Sequence, residues 1–371
     1  MALSAGIEDR IQKLFEEKHK EYAAHDRTLS ALAAFRFILE YIDEIKQETL
    51  FWNFRPRVCS RGSESNPRTP DGLIVQEPSH SFVLELKTSW NKGDVTQVTN
   101  YGNAEGYLHA NGTLTPFPEN HCVLLGYQNV PGDSNLEDLF NEWEKQKPHA
   151  SLVVFRYSFE SAPTGDRIFF SRVPFARNGT CPRSHLGRTI NSAQGFSVSA
   201  ASFSRVASKF HKSNDQVIDS YAAVIWWTAY ARHYLSEEQQ TEMAVSGRLQ
   251  TPLQIPLDQI DEVPVPPDVE VPLTPSDVKK GLEFLRQAGL VTLKLRERVY
   301  EVKLRQNRYV RLPTGAAAIG TAQEDIAVKI INRWATYSVK KPLTKRPVGA
   351  KRTKSRRSHD AGPTLPFPEP L

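Results

Sequence analysis

The run Phe82-Val83-Leu84-Glu85-Leu86-Lys87 constrains this chain most: it is apolar enough for the inside of a sheet, yet carries a carboxylate and an ammonium two residues apart. On a strand, residues i and i+2 share a face, so Glu85 and Lys87 point together while Leu84 and Leu86 point into the core. Upstream, Leu50 to Val58 reads as a strand, and a Gly/Ser/Asn/Pro loop leads to Asp71-Gly72-Leu73-Ile74-Val75. Turn-like residues 76 to 81 join that run to Phe82, which makes a hairpin able to set Asp71 beside Glu85 and Lys87.

Around this hairpin the hydrophobic period changes. Residues 7 to 22 and 29 to 48 read as helices, the second with Leu32, Phe35, Leu39 and Ile42 at helical spacing. A further helix is predicted from Asp94 to about Leu108. Buried strands are predicted at Cys122 to Tyr127 and Leu152 to Tyr157, and a second hairpin near Arg167 to Phe175. Tyr221 to Tyr234 is too short for a bilayer span and is interrupted by Arg232, so it reads as a buried aromatic helix. This order predicts an α/β fold, a mixed central sheet flanked by helices.

Two carboxylates and a lysine at a sheet edge can hold Mg²⁺, which takes oxygen ligands and keeps several waters. A metal held there activates water and stabilises charge on a phosphate, and the lysine can orient that water. A Glu-x-Lys triplet alone says little, and this chain has four. Glu16-x-Lys18 and Glu44-x-Lys46 fall on predicted helices, and Glu301-x-Lys303 has no Pro-Asp upstream; only Glu85-x-Lys87 follows Pro70-Asp71-Gly72. The plainer alternative is a solvent-facing ion pair beside a turn aspartate.

Pro70-Asp71 with Glu85-Leu86-Lys87 resembles the PD-(D/E)xK nuclease superfamily, and Gln97-Val98-Thr99-Asn100-Tyr101 resembles the Gln-x-x-x-Tyr motif of its RecB-like and lambda-exonuclease-like branch. The likeness spans about residues 29 to 160. It implies a restriction-endonuclease-like core in which Asp71 and Glu85 bind Mg²⁺, with Mn²⁺ able to substitute, and Lys87 assists catalysis. Gln97 and Tyr101 would shape the site or contact the phosphate. A glutamate on the helix before the first core strand is also implied, with Glu40 preferred and Glu44 the alternative.

Charge divides the chain. Residues 251 to 273 hold six prolines, five acids and no Lys or Arg, which predicts an extended acidic linker. Before it, residues 1 to 250 carry a net charge of −3 and form the nuclease-like domain. After it, 274 to 337 reads as a small basic α+β module, and 338 to 371 as a disordered tail with nine basic and two acidic residues. In the module, Thr274-Pro275-Ser276-Asp277 starts a helix that stops at Gly289. Strands at 291–295, 299–304 and 309–312 would present Lys294, Arg296, Arg298, Lys303, Arg305, Arg308 and Arg311. Helix followed by basic ribbon looks like a winged-helix DNA-binding module, although one helix rather than three precedes the strands; a protein-interaction or sensor domain is the alternative.

The three cysteines are too few and too scattered for a disulfide framework or a zinc site, and the sequons at Asn111 and Asn178 carry no weight. The N-terminal residues lack a signal-peptide apolar stretch, so the expectation is a cytoplasmic protein without membrane association. The function expected is a Mg²⁺-dependent deoxyribonuclease of restriction, anti-phage defence or DNA repair, with DNA as partner and homo-oligomerisation left open. The alternative is a DNA-binding or sensing protein whose nuclease fold is inactive.

Overall fold

The computed structural model describes residues 5–340 apart from 61–62, 163–164, 208–216, 247–248, 263–264, 267–268 and 304–315. The chain opens with a 37-residue helix, α1 (Ala5–Tyr41), followed by α2 (Asp43–Glu48). The two helices predicted over 7–48 are therefore divided elsewhere, because residues 23 to 28 contain neither Pro nor Gly and nothing stops α1 there. The predicted strand 50–58 is instead two, β1 (Thr49–Phe54) and β2 (Arg57–Cys59). They part where Arg55 takes a φ of 53° before Pro56, a left-handed turn that no strand accommodates.

The predicted hairpin forms as β3 (Gly72–Gln76) and β4 (His80–Lys87). Helix α3 (Lys92–Gly102) follows, shorter than predicted because the chain turns at Asn103 into β5 (Gly106–Leu108) and β6 (Leu114–Pro116). Then come β7 (Asn120–Tyr127), α4 (Asp133–Gln146), β8 (Ser151–Ala162) and β9 (Gly165–Arg172). After α5 (His185–Asn191), β10 (Phe196–Ser199) and α6 (Ala200–Ala207), the aromatic helix begins as α7 (Asp219–Ile225), widens into a π turn over Trp226–Tyr230 and tightens into a 3-10 turn over Ala231–Tyr234. Helix α8 (Glu237–Ser246) leads to the C-terminal part.

The central sheet has the order β1-β3-β4-β7-β8-β9-β10, with β4, β7 and β8 parallel and the outer pairs antiparallel, a mixed α/β sheet as predicted. Strand alternation gives it two apolar faces. Ile74, Phe82, Leu84, Leu86 and Leu124 pack with α1, α7 and the C-terminal helices. Leu73, Val83, Val123 and Leu125 pack with Val98 of α3 and with Leu139 and Phe140 of α4. The sequon residue Asn178 is buried and bonds the backbone of Val154 at both N and O, a structural role.

The stretch read as a linker contributes β11 (Leu253–Pro256) to a small sheet of order β11-β13-β12. Of its prolines only Pro256 falls within β11, where the sheet tolerates it because β11 is an edge strand and Pro256 is its last residue. Farther along, Glu270 pairs with Arg36 of α1. The remaining elements are α9 (Pro275–Gln287), β12 (Val291–Lys294), β13 (Val299–Val302) and α10 (Ala316–Lys340). Thr274 caps α9 as predicted, and the structure adds a capping box with Asp277. The predicted strand 309–312 and residues 341–371 of the tail lie outside the described residues, whereas residues 338–340 finish α10. Val278, Leu282, Tyr300, Val302 and Ile330 belong to the same core cluster as α1, so the described residues of 274–337 contribute to the core that packs on the sheet.

Candidate active site

In the antiparallel register Gly72 lies opposite Leu84, which puts Asp71 opposite Glu85. The Asp71 N–H donates to Glu85 Oε2 at 3.3 Å, and the Leu86 N–H donates to Asp71 Oδ2 at 2.8 Å. Both carboxylates are buried, Asp71 with 3% and Glu85 with 1% of its surface exposed. Leu84 and Leu86 face α1, so alternation turns Glu85 and Lys87 towards α3. The Lys87 ammonium is 2.7 Å from Glu85 Oε1.

Helix α3 completes the cluster. Gln97 and Tyr101, four residues apart, share one helix face. The Gln97 amide donates to Glu85 Oε1 at 2.9 Å and to the Tyr101 hydroxyl at 2.8 Å, and the Tyr101 hydroxyl donates to Glu85 Oε2 at 3.2 Å. Burial, and then the charge of Glu85, push the Tyr101 hydroxyl well above its ordinary range, so it stays a donor at any working pH.

Residues outside the motifs hold these groups in place. Asn91 and Asp94 form a capping box at the start of α3, and the Tyr127 hydroxyl at the end of β7 donates to Asp94 Oδ2 at 3.1 Å. The Tyr157 hydroxyl of β8 donates to the Lys87 carbonyl at 3.1 Å and lies 3.2 Å from Thr28 Oγ1 of α1. Asn91-x-x-Asp94 is legible as a helix start, but the partners of Tyr127 and Tyr157 depend on sheet order, which no local pattern reports.

Glu40 is elsewhere. It accepts from Arg36 Nε at 2.7 Å, and Arg36 stacks 4.5 Å over Trp52 and pairs with Glu270, all on the α1 side of the sheet. Glu44 lies exposed in the first turn of α2. Neither is joined to Glu85, because α1 covers the face carrying Leu84 and Leu86 rather than the face carrying Glu85.

Of the predicted basic residues, Arg296, Arg298 and Lys303 are exposed along or beside the β12–β13 hairpin. Lys294 is held by Glu301 at 2.7 Å and Glu297 at 3.5 Å. Arg305, Arg308 and Arg311 lie outside the described residues.

The donor set is all oxygen, with Asp71 just before β3 and Glu85 on β4, which suits Mg²⁺. No group of three or more His, Cys, Asp or Glu side chains gathers among the described residues. A cation here would therefore retain much of its water, as Mg²⁺ does when one or two carboxylates bind it.

His121 of β7 offers a pH readout on this side of the sheet. Its Nδ1 lies 2.8 Å from Ser81 Oγ, and its ring stacks 4.1 Å from Phe117. Burial pushes its pKa down from 6.5 to about 4, so the folded chain holds the ring neutral. Its contribution to stability is complete above pH 6.5 and is lost as the pH falls from 6.5 through about 4, because the unfolded chain takes the proton first. The expected loss is on the order of 3 kcal/mol, measured as urea-unfolding free energy at several pH values; His121→Asn should flatten the curve, and an unchanged decline in that variant would exclude His121 as its source.

No family model and no curated protein sequence matches the chain. Among solved structures, SfsA from Pyrococcus furiosus in complex with Ca²⁺ overlaps with a TM-score of 0.21 at 11% identity, covering 39% of this chain. The chain spans 59% of that structure's length, and the reading of the site rests on its own geometry. No helix among the described residues is long and apolar enough to cross a membrane.

Proposed function

We propose that this protein is a Mg²⁺-dependent nuclease that hydrolyses phosphodiester bonds in DNA. One observation carries the reading: Glu85, almost fully buried, receives the Lys87 ammonium, the Gln97 amide, the Tyr101 hydroxyl and the Asp71 N–H at once. Burying a carboxylate among such groups is costly, and an ion pair needed only for stability would sit better in solvent or give way to apolar packing.

Asp71 and Glu85 would hold the cation, which when bound supplies an activated water and neutralises charge developing on the phosphate. Gln97 and Tyr101 hold Glu85 aimed by donating hydrogen bonds to its two carboxylate oxygens. Lys87, tied to the sheet through its own carbonyl, places a positive charge where attack on a phosphate builds negative charge, and can orient the incoming water. No covalent enzyme intermediate is needed. Mn²⁺ would substitute, and restriction, anti-phage defence and DNA repair in the cytoplasm are the settings that suit such an enzyme.

In the same proposal the β12–β13 hairpin contributes phosphate contacts, which position DNA without reading its sequence. Reversing charge at Arg296, Arg298 and Lys303 should weaken DNA binding for all sequences alike and flatten its salt dependence by about 0.9 per lost duplex phosphate contact. An unchanged slope would remove the hairpin from the interface. The direct test of the nuclease is cleavage of linear and circular DNA, and of RNA, with Mg²⁺ and with EDTA.

A second reading, a DNA-binding protein with an inactive site, is favoured by the Lys87–Glu85 ion pair, which engages Glu85 within the protein. Folded protein that binds DNA yet cuts nothing with Mg²⁺ or Mn²⁺ would establish it.

A further inference from the structure

Beside the charged cluster opens a cleft of about 410 Å³, walled by Arg68 and Thr69 on one side and by Thr96, Gln97, Asn100 and Tyr101 of α3 on the other. Gln97 and Tyr101 belong to both places: they bond Glu85 behind them and line the cleft in front. Thr96 and Asn100 each precede one of these residues, so α3 presents a continuous hydrogen-bonding face along the cleft.

Arg68 faces that wall from a fixed backbone. It forms a β-bridge with Val58, giving and receiving hydrogen bonds of 2.7 and 2.8 Å, and Val58 is fully buried. The Arg68 side chain is exposed and has no carboxylate partner among the described residues. An exposed guanidinium on a pinned backbone, across the cleft from neutral donors, suits a phosphate group, whose non-bridging oxygens can accept its fork and further hydrogen bonds at once. The volume is within the range of small-ligand pockets and is enough for one nucleotide unit of a strand.

We propose that this cleft is a phosphate subsite in which Arg68, with Thr96 and Asn100, grips the phosphodiester neighbouring the one at Glu85 and so threads one strand past the cluster. The inference rests on the nuclease reading of the cluster, since it makes the cleft the path of the strand to be cut.

The test uses the full chain and a labelled single-stranded DNA oligonucleotide in EDTA, so that binding is read without cleavage, over a series of salt concentrations. Arg68→Ala is expected to bind roughly tenfold more weakly and to lower the slope of log affinity against log salt by about 0.7, one single-strand phosphate contact. Arg68→Lys should recover the slope but not the whole affinity, because an ammonium keeps the charge and loses the fork. Asn100→Ala should lower affinity with the slope unchanged. Arg10→Ala, on α1, serves as the control for loss of an exposed arginine.

If Arg68→Ala matches the wild type in affinity and slope, the subsite is wrong, even if the wild type cuts DNA with Mg²⁺. If Arg68→Ala loses the slope while the wild type cuts nothing, the subsite stands as a strand-binding site and the nuclease reading falls. A wild type that binds no oligonucleotide overturns both.

Discussion

Replacing Glu85 by alanine is expected to lower Mg²⁺-dependent DNA cleavage by roughly 10³-fold or more, with Lys87→Ala similarly severe. Glu85 touches each of the other polar groups in the cluster, so its loss removes a cation ligand and releases Gln97, Tyr101 and Lys87 together. The same change leaves the mostly buried Lys87 ammonium without this carboxylate, at a cost of about 3–5 kcal/mol. Glu85→Gln is therefore the necessary companion: it keeps the shape of the side chain while removing its charge. Initial rates on plasmid DNA, with folding checked by thermal unfolding, decide the matter. Full activity in folded Glu85→Gln would end the nuclease proposal for this site. Glu40→Ala makes the contrast, since Glu40 bonds Arg36 on the other face of the sheet and its removal should be felt in stability rather than in rate.

Gly281→Leu is expected to destabilise the whole chain by about 3 kcal/mol. A Cβ at Gly281 of α9 would lie 2.8 Å from the carbonyl carbon and oxygen of Ala222, backbone of α7 that cannot swing aside as a side chain can. Gly281→Ala should cost less, because the helix favours alanine over glycine by about 1 kcal/mol and offsets part of the clash. Urea unfolding followed by both near- and far-UV circular dichroism should show one transition in the wild type, displaced as a unit in the leucine variant. Two transitions, of which only one moves, would show that the C-terminal part folds independently.

The charge pattern suggests that independence, and the packing does not. Six prolines and a lack of basic residues in 251–273 read locally as a linker, yet Leu253 and Ile255 are buried and Glu270 pairs with Arg36. What composition cannot convey is that an edge strand tolerates proline, or that an acidic residue far along the chain has a buried arginine to meet. The β3–β4 hairpin was legible because two apolar runs flank the turn-like residues 76 to 81 in one short stretch. Gln97 and Tyr101 were legible because helical spacing places them together whatever the rest of the fold does. Glu40 was not, for helical spacing says which face of α1 it occupies and nothing about which face of the sheet α1 will cover. Likewise the cleft at Arg68 joins a β-bridge to a helix more than twenty residues later, a juxtaposition made by the sheet rather than by any motif.

The first helix and the last described one are packed against each other, with Lys18 of α1 lying 5.7 Å over the ring of Trp334 in α10. During synthesis the apolar stripe of α1 is made first, and part of its covering is made some three hundred residues later. A nascent chain can lay the sheet strands against α1 early, but the part of α1 that meets α10 stays uncovered until α10 is made. Closure of so long a loop is slow relative to local helix formation, and the exposed surface is what holdase chaperones bind. The contact between α1 and α10 is thus made only after the roughly three hundred residues that separate them have been joined to the chain.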